Sequence, residues 1–206
     1  MVLPHSKQRG TYPVFVFGGV GLNMKTELHI FESGKTVTAA IYHDVLRNVV
    51  VPLKQKNTPQ QRYKVPDMYM TQDNDPKHYN EISKSIQAQH GIKLLAIQRK
   101  DTKGNVDVAP GRGGHMVRQG IAFPAYSPDI NGPIEKVWRE LQKRVVQRAN
   151  EISSRAEMVQ VIKEEWDALP FEQDGSFIGI NGYVRMHETV LKEVINEKGW
   201  DTRYMK

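Results

Sequence analysis

The chain has 206 residues, which suits a single domain with a buried core, and its 39% hydrophobic and 25% charged residues exclude wholesale disorder. It contains no cysteine, which excludes a disulfide scaffold, a thiolate zinc site and a cysteine nucleophile. Its formal charge of 29 − 23 = +6 is compatible with a polyanionic partner, although many basic proteins bind none.

Met1–Gly10 is polar and basic and does not read as a secretory signal. Gly10–Met24, the longest uncharged stretch, is short for a bilayer span and is broken by Pro13, Gly18, Gly19 and Gly21. Tyr12–Phe17 is apolar and β-prone, Gly18–Gly21 reads as a turn, and Glu27–Phe31 alternates polar and apolar residues, so the segment predicts an antiparallel pair. From Thr38 the period becomes helical, with Ile41, Val45, Leu46, Val49 and Leu53 on one face, Thr36 or Thr38 as cap, and Pro52 ending or kinking the helix. Met68–Gln72 reads as a short strand and Tyr79–His90 as a helix with Ile82 and Ile86 inward and Gly91 as its stop. Ile92–Ile97 reads as a strand parallel to the first.

Arg99–Gly120 breaks this pattern with five glycines and five basic against two acidic residues. It reads as a flexible insertion, either a solvated loop or an arm that touches nucleic acid. Three helices follow. The first carries an apolar stripe of Ile134, Val137, Trp138, Leu141 and Val145, with Lys136, Arg139, Lys143, Arg144 and Arg148 around it. The second covers about Arg155–Leu169, and the third about Gly182–Glu197. Strands first and helices last make the chain α/β, with a core over 14–150, the insertion 99–120 and a helical region 151–206.

The usual catalytic and cofactor motifs are largely missing. Gly18-Gly19-Val20-Gly21 lacks the spacing of a dinucleotide loop, and no His-Glu-x-x-His occurs. Carboxylates at element ends are the stronger signal. Asp73 stands just past a strand in Gln72-Asp73-Asn74-Asp75-Pro76-Lys77-His78, where open α/β folds place their sites. Glu135 stands in the first turn of the next strong helix, behind Pro133. Two such carboxylates suit Mg²⁺, which takes one or two of them and keeps waters for phosphate oxygens. Structural roles are equally open: Asp73 or Asp75 as turn former or helix cap, and Glu135 as a helix-dipole residue paired with Arg139. The basic helix face can contact phosphate or simply be solvated.

The stretch Gln72–His78 resembles the second-aspartate motif of Tc1/mariner-type transposases. Tyr126-Ser127-Pro128-Asp129-Ile130-Asn131-Gly132-Pro133-Ile134-Glu135-Lys136-Val137-Trp138 resembles their third-carboxylate motif. Val16-Phe17-Gly18 and the stretch through Tyr42 and Leu46 are similar to the strand and helix upstream, so the resemblance covers about Val14–Arg148. It implies an RNase H-like fold, a mixed β-sheet flanked by helices, and a DDE endonuclease that cleaves and joins DNA strands with Mg²⁺ or Mn²⁺. It makes Asp73 the second and Glu135 the third metal-binding, catalytic carboxylate. Lys77, His78, Lys136, Arg139, Lys143, Arg144 and Arg148 become DNA-facing candidates. The partners it implies are DNA and a second copy in a homodimer, with no membrane, and the compartment is the nucleus if the source is eukaryotic.

The chain also departs from the family. The first aspartate is expected on a strand ahead of Val14–Phe17, yet residues 1–26 contain no Asp or Glu, and Glu27 comes too late. The expectation is therefore a catalytic domain lacking its usual first strand, an N-terminally truncated relative that is inactive as it stands. A non-catalytic nucleic-acid-binding module or a transposon relic is the alternative. Sixty-one residues separate Asp73 from Glu135, longer than the family's usual gap, and Arg99–Gly120 supplies most of the excess. Gly132 is an extra residue in the third motif that can turn Glu135 away from a metal.

Overall fold

The computed structural model describes residues 12–55, 68–72, 76–78, 80–94, 99–100, 106–107 and 131–196. The chain divides into two compact units, Met1–Thr36 with Pro128–Lys206, and Val37–Ser127.

In the first unit, β1 (Val16–Phe17) pairs antiparallel with β4 (His29–Ile30), as the alternation predicts. Between them lies a second hairpin, β2 (Val20–Gly21) with β3 (Met24–Lys25). The turn is therefore at Leu22-Asn23 and not across Gly18–Gly21. Asn23 takes the positive φ of 55° that asparagine tolerates better than most side chains. Its amide N–H donates to Asn181 Oδ1 at 2.7 Å, and Asn181 Nδ2 donates back to Asn23 Oδ1 at 2.6 Å. Asn181 is fully buried, so this reciprocal pair meets its hydrogen-bonding needs and pins the hairpin tip.

Three helices complete this unit: α4 (Gly132–Gln147), α5 (Arg155–Ala168) and α6 (Ile180–Asn196). The second matches its predicted span, and α6 begins two residues early. Ser154 caps α5 by accepting from the Glu157 N–H, and Glu157 reaches back to the N–H and hydroxyl of Ser153. Val137, Leu141 and Val145 of α4 meet Val161, Ile162 and Trp166 of α5, Ile180 of α6 and Val14 in one core. Trp166 sits at its centre, stacked on Trp138 with ring centroids 5.2 Å apart, and its indole N–H donates to the Thr26 carbonyl at 2.9 Å. Lys25 Nζ donates to the carbonyls of Trp166, Asp167 and Leu169, closing the C-terminus of α5 with a cation where the helix dipole is negative. Its burial lowers the ammonium pKa.

In the second unit, α1 (Ala39–Val45) starts at Thr38, whose hydroxyl accepts from the Ile41 N–H. Pro52 does not end this helix. It has no N–H for the Asn48 carbonyl, and the ladder widens into a π turn over Leu46–Val50 before α2 (Val51–Gln55) continues. The wider turn shifts the buried face. Val45, Leu46 and Val49 go inward as predicted, and Tyr42, Val50 and Val51 join them, while Ile41 and Leu53 are only half-buried.

The strand β5 (Met68–Met70) pairs in parallel with β6 (Ile92–Leu94), and α3 (Glu81–Gln89) joins them. Gly91 stops α3 with φ +59°, as expected. Lys54 Nζ donates to the His90 and Gly91 carbonyls beside it. Ile86 is buried, but Ile82 is 53% exposed, because Ser83, Ile86 and Gln87 form the inner face. The insertion opens as a hairpin, β7 (Arg99–Lys100) with β8 (Val106–Asp107), and the rest of Arg99–Gly120 lies outside the described residues. Among the described residues the strands form four separate two-stranded ladders.

Candidate active site

Glu135 is positioned by α4. Pro133 stands among the first helical residues, where its missing N–H costs nothing, and the Glu135 N–H donates to the Asn131 carbonyl at 3.4 Å. Gly132 is absorbed as the first residue of the helix, with Glu135 in the first turn. The buried stripe Val137, Leu141 and Val145 fixes the rotation of α4 and leaves Glu135 half-buried. Among the described residues the Glu135 carboxylate has no hydrogen bond or ion pair, and the i, i+4 pair with Arg139 is not formed. Its negative charge sits at the positive end of a 16-residue helix. It is an acceptor with open lone pairs.

Asp73 lies outside the described residues, as does Asp75. The residues on either side are described. Gln72 follows β5, and its Oε1 accepts from the Tyr42 hydroxyl at 2.6 Å, while its Nε2 donates to the His78 carbonyl at 3.4 Å. Pro76–His78 forms a 3-10 turn, and the His78 ring lies 4.3 Å from the Tyr42 ring. Asn80 caps α3 by accepting from the Ser83 N–H at 2.9 Å, so neither Asp73 nor Asp75 is that cap. Asn80 also bonds the Lys77 carbonyl and the His43 ring.

The four basic residues of α4 and Arg148 just past it do not form one free row. Lys136 Nζ lies 5.4 Å over the Tyr183 ring. Arg139 is exposed and makes no ion pair among the described residues, and Lys143, 73% exposed, reaches Glu140 only at 3.7 Å. Arg144 is held by Glu140 at 3.1 Å and by Asp174 at 3.8 Å, and packs on the Phe177 ring. Arg148 is gripped by Glu151 at 2.5 Å, Glu164 at 2.8 Å and Glu165 at 3.1 Å. Those hydrogen bonds raise its guanidinium pKa still further. Counting carboxylates within the helix alone misses these partners, because α5 supplies two of them. The Tyr42–Gln72 and Lys25–α5 contacts likewise join residues far apart in sequence and leave no local signal.

Among the described residues no group of three or more His, Cys, Asp or Glu is placed to hold a metal ion. Glu135 fits a hard divalent cation in kind, as an anionic oxygen donor with no partner among the described residues. No helix among the described residues is long and apolar enough to cross a membrane.

No family model matches the chain, and no curated protein matches it. Two solved structures share its fold. The Mos1 transposase catalytic domain with Raltegravir and Mn matches at TM-score 0.56 and 16% identity, over 92% of this chain and 83% of that one. The same domain with Raltegravir and Mg matches at TM-score 0.56 and 15% identity, over 92% and 85%. The chain thus shares the α/β, RNase H-like fold of the Mos1 transposase catalytic domain.

Proposed function

We propose that the chain is a Tc1/mariner-type DDE transposase catalytic domain, with the whole of 1–206 forming that one domain. The family chemistry is metal-dependent cleavage and transfer of DNA strands. The observation that carries the reading is the fold likeness over 92% of the chain to the Mos1 catalytic domain. Glu135 on α4, whose carboxylate has no partner among the described residues, supports it. Asp73 and Glu135 are the proposed ligands of Mg²⁺ or Mn²⁺, the ions named with the Mos1 domain. Asp73 and Glu135 would hold the ion, which when bound would supply activation of an attacking oxygen and charge stabilisation at the leaving oxygen of a phosphodiester.

The 206 residues offer no Asp or Glu ahead of β1 to serve as a first carboxylate. We expect this polypeptide to bind DNA through its basic side chains. The exposed Arg139 and Lys143, with Lys136 beside them, are the proposed phosphate contacts. Their exposure is also what favours the second reading, a non-catalytic nucleic-acid-binding module. A homodimer, and a nuclear location if the source is eukaryotic, complete the proposal.

Mn²⁺ titration followed by electron paramagnetic resonance tests it. Glu135→Gln and Asp73→Asn are each expected to weaken binding. Unchanged binding in both variants would overturn the catalytic-domain reading and leave the binding module.

A further inference from the structure

We propose that Tyr42 and His43, neighbours on α1, are positioning residues for the segment after β5. They hold Gln72 on one side and Lys77, His78 and Asn80 on the other side of the sequence position that carries the second carboxylate. The inference rests on the proposed role of Asp73.

Both side chains are nearly buried, Tyr42 at 3% and His43 at 7% exposure. A phenylalanine and a leucine would fill that core, so packing alone does not call for their polar atoms. Those atoms meet the segment after β5. The Tyr42 hydroxyl donates to Gln72 Oε1 at 2.6 Å, and Gln72 Nε2 donates on to the His78 carbonyl. The Tyr42 ring also lies against the His78 ring. One side chain thus touches both ends of a short stretch of chain.

His43 acts on the far end. Asn80 Oδ1 accepts from the Ser83 N–H, and Asn80 Nδ2 donates to the Lys77 carbonyl at 2.8 Å, which fixes the amide orientation. His43 Nε2, 2.8 Å from the same Oδ1, must then be the protonated nitrogen and donate. The histidine braces the cap of α3, and the cap holds the Lys77 carbonyl. Ser83 Oγ donates to that carbonyl as well, at 3.3 Å. The rest of α1 and the π turn are rooted in the unit's core through Val45, Leu46, Val49 and Val50, so the two polar tips project from a rigid base. Such support matters most for a metal ligand, where groups that orient it typically change affinity by about 10–100-fold.

The test uses the full chain and three readouts: thermal unfolding, hydrogen exchange over residues 71–80, and Mn²⁺ affinity. Tyr42→Phe keeps the ring and removes the hydroxyl. It is expected to speed exchange in that segment several-fold and to weaken Mn²⁺ by about tenfold, with little change in melting temperature. His43→Leu is expected to do the same, and His43→Gln, which can donate the same bond, to recover most of the loss. Unchanged exchange and unchanged Mn²⁺ affinity in Tyr42→Phe, with Asp73→Asn still weakening Mn²⁺, would overturn the inference and leave the proposed function standing. Mn²⁺ affinity indifferent to Asp73→Asn would overturn the inference, and indifferent to Glu135→Gln as well, the proposed function with it.

Discussion

Replacing Trp166 by phenylalanine removes the polar anchor of the first unit. The indole is fully buried, stacks on Trp138 and donates to the Thr26 carbonyl at 2.9 Å. Thr26 is itself 4% exposed, so its carbonyl would lose this bond with little access to water. An orphaned buried acceptor costs about 1–3 kcal/mol. The smaller ring leaves a void and loses part of the stacking, about 1–2 kcal/mol more. The total of about 3 kcal/mol is a large share of a domain's stability of about 5–15 kcal/mol. At about 2–4 °C per kcal/mol for a chain of this size, Trp166→Phe should lower the melting temperature by roughly 6–12 °C. Circular dichroism during thermal unfolding reads this directly. The same geometry predicts coupling to Gly18, where an added Cβ would stand 2.8 Å from Trp166 Cη2 and 2.9 Å from Trp138 Cη2. Gly18→Ala should therefore cost less in the Trp166→Phe background than in the wild type. A melting temperature within about 1 °C of wild type, or strictly additive effects, would refute the placement of this indole as the hub of the core.

Lys25→Met keeps most of the apolar stem but leaves the last carbonyls of α5 without their cation; a loss of about 1–2 kcal/mol is expected in urea unfolding. Acid should destabilise the chain. The Arg148 bonds lower the pKa of Glu151, and the Gln160 and Arg148 bonds lower that of Glu164, from a normal value of 4.5. Their stabilisation is present above that value and is lost as pH falls through the depressed folded values, so Arg148→Met should flatten the acid limb of a melting-temperature profile. DNA binding followed by fluorescence anisotropy should show log K falling against log salt with a slope near −3 for about three phosphate contacts. Arg139→Gln and Lys143→Gln should make that slope shallower, whereas Arg148→Gln should leave it unchanged, because Glu151, Glu164 and Glu165 already hold that side chain.

Periodicity located α4 and α5 closely because their buried stripes are decided within the helix. Val137, Leu141 and Val145 can be picked out from spacing alone, as can the Arg155 start and the Gly91 stop. Elements decided by a partner were less legible. Ile82 has the right spacing to face inward, but Ser83 and Gln87 take that face. The π turn moves Val50 and Val51 into the core, and no helical wheel drawn at a regular period includes that shift. The turn of the inner hairpin falls at Asn23 because Asn181, 158 residues away, receives it. The candidate site shows the same division. The local motif around Glu135 predicts its place in the first turn of a helix, whereas the freedom of its carboxylate from Arg139 appears only in the folded chain.

Mapping the divalent-ion site with Fe²⁺ in place of Mg²⁺ tests the central claim most directly. With ascorbate and peroxide, bound Fe²⁺ generates radicals that cut the backbone near its ligands, and mass spectrometry reads the cut positions. The account predicts breaks beside Asp73 and beside Glu135, suppressed by excess Mn²⁺ and by Asp73→Asn. Cutting confined to other parts of the chain, or unaffected by Mn²⁺ and by Asp73→Asn, would contradict it.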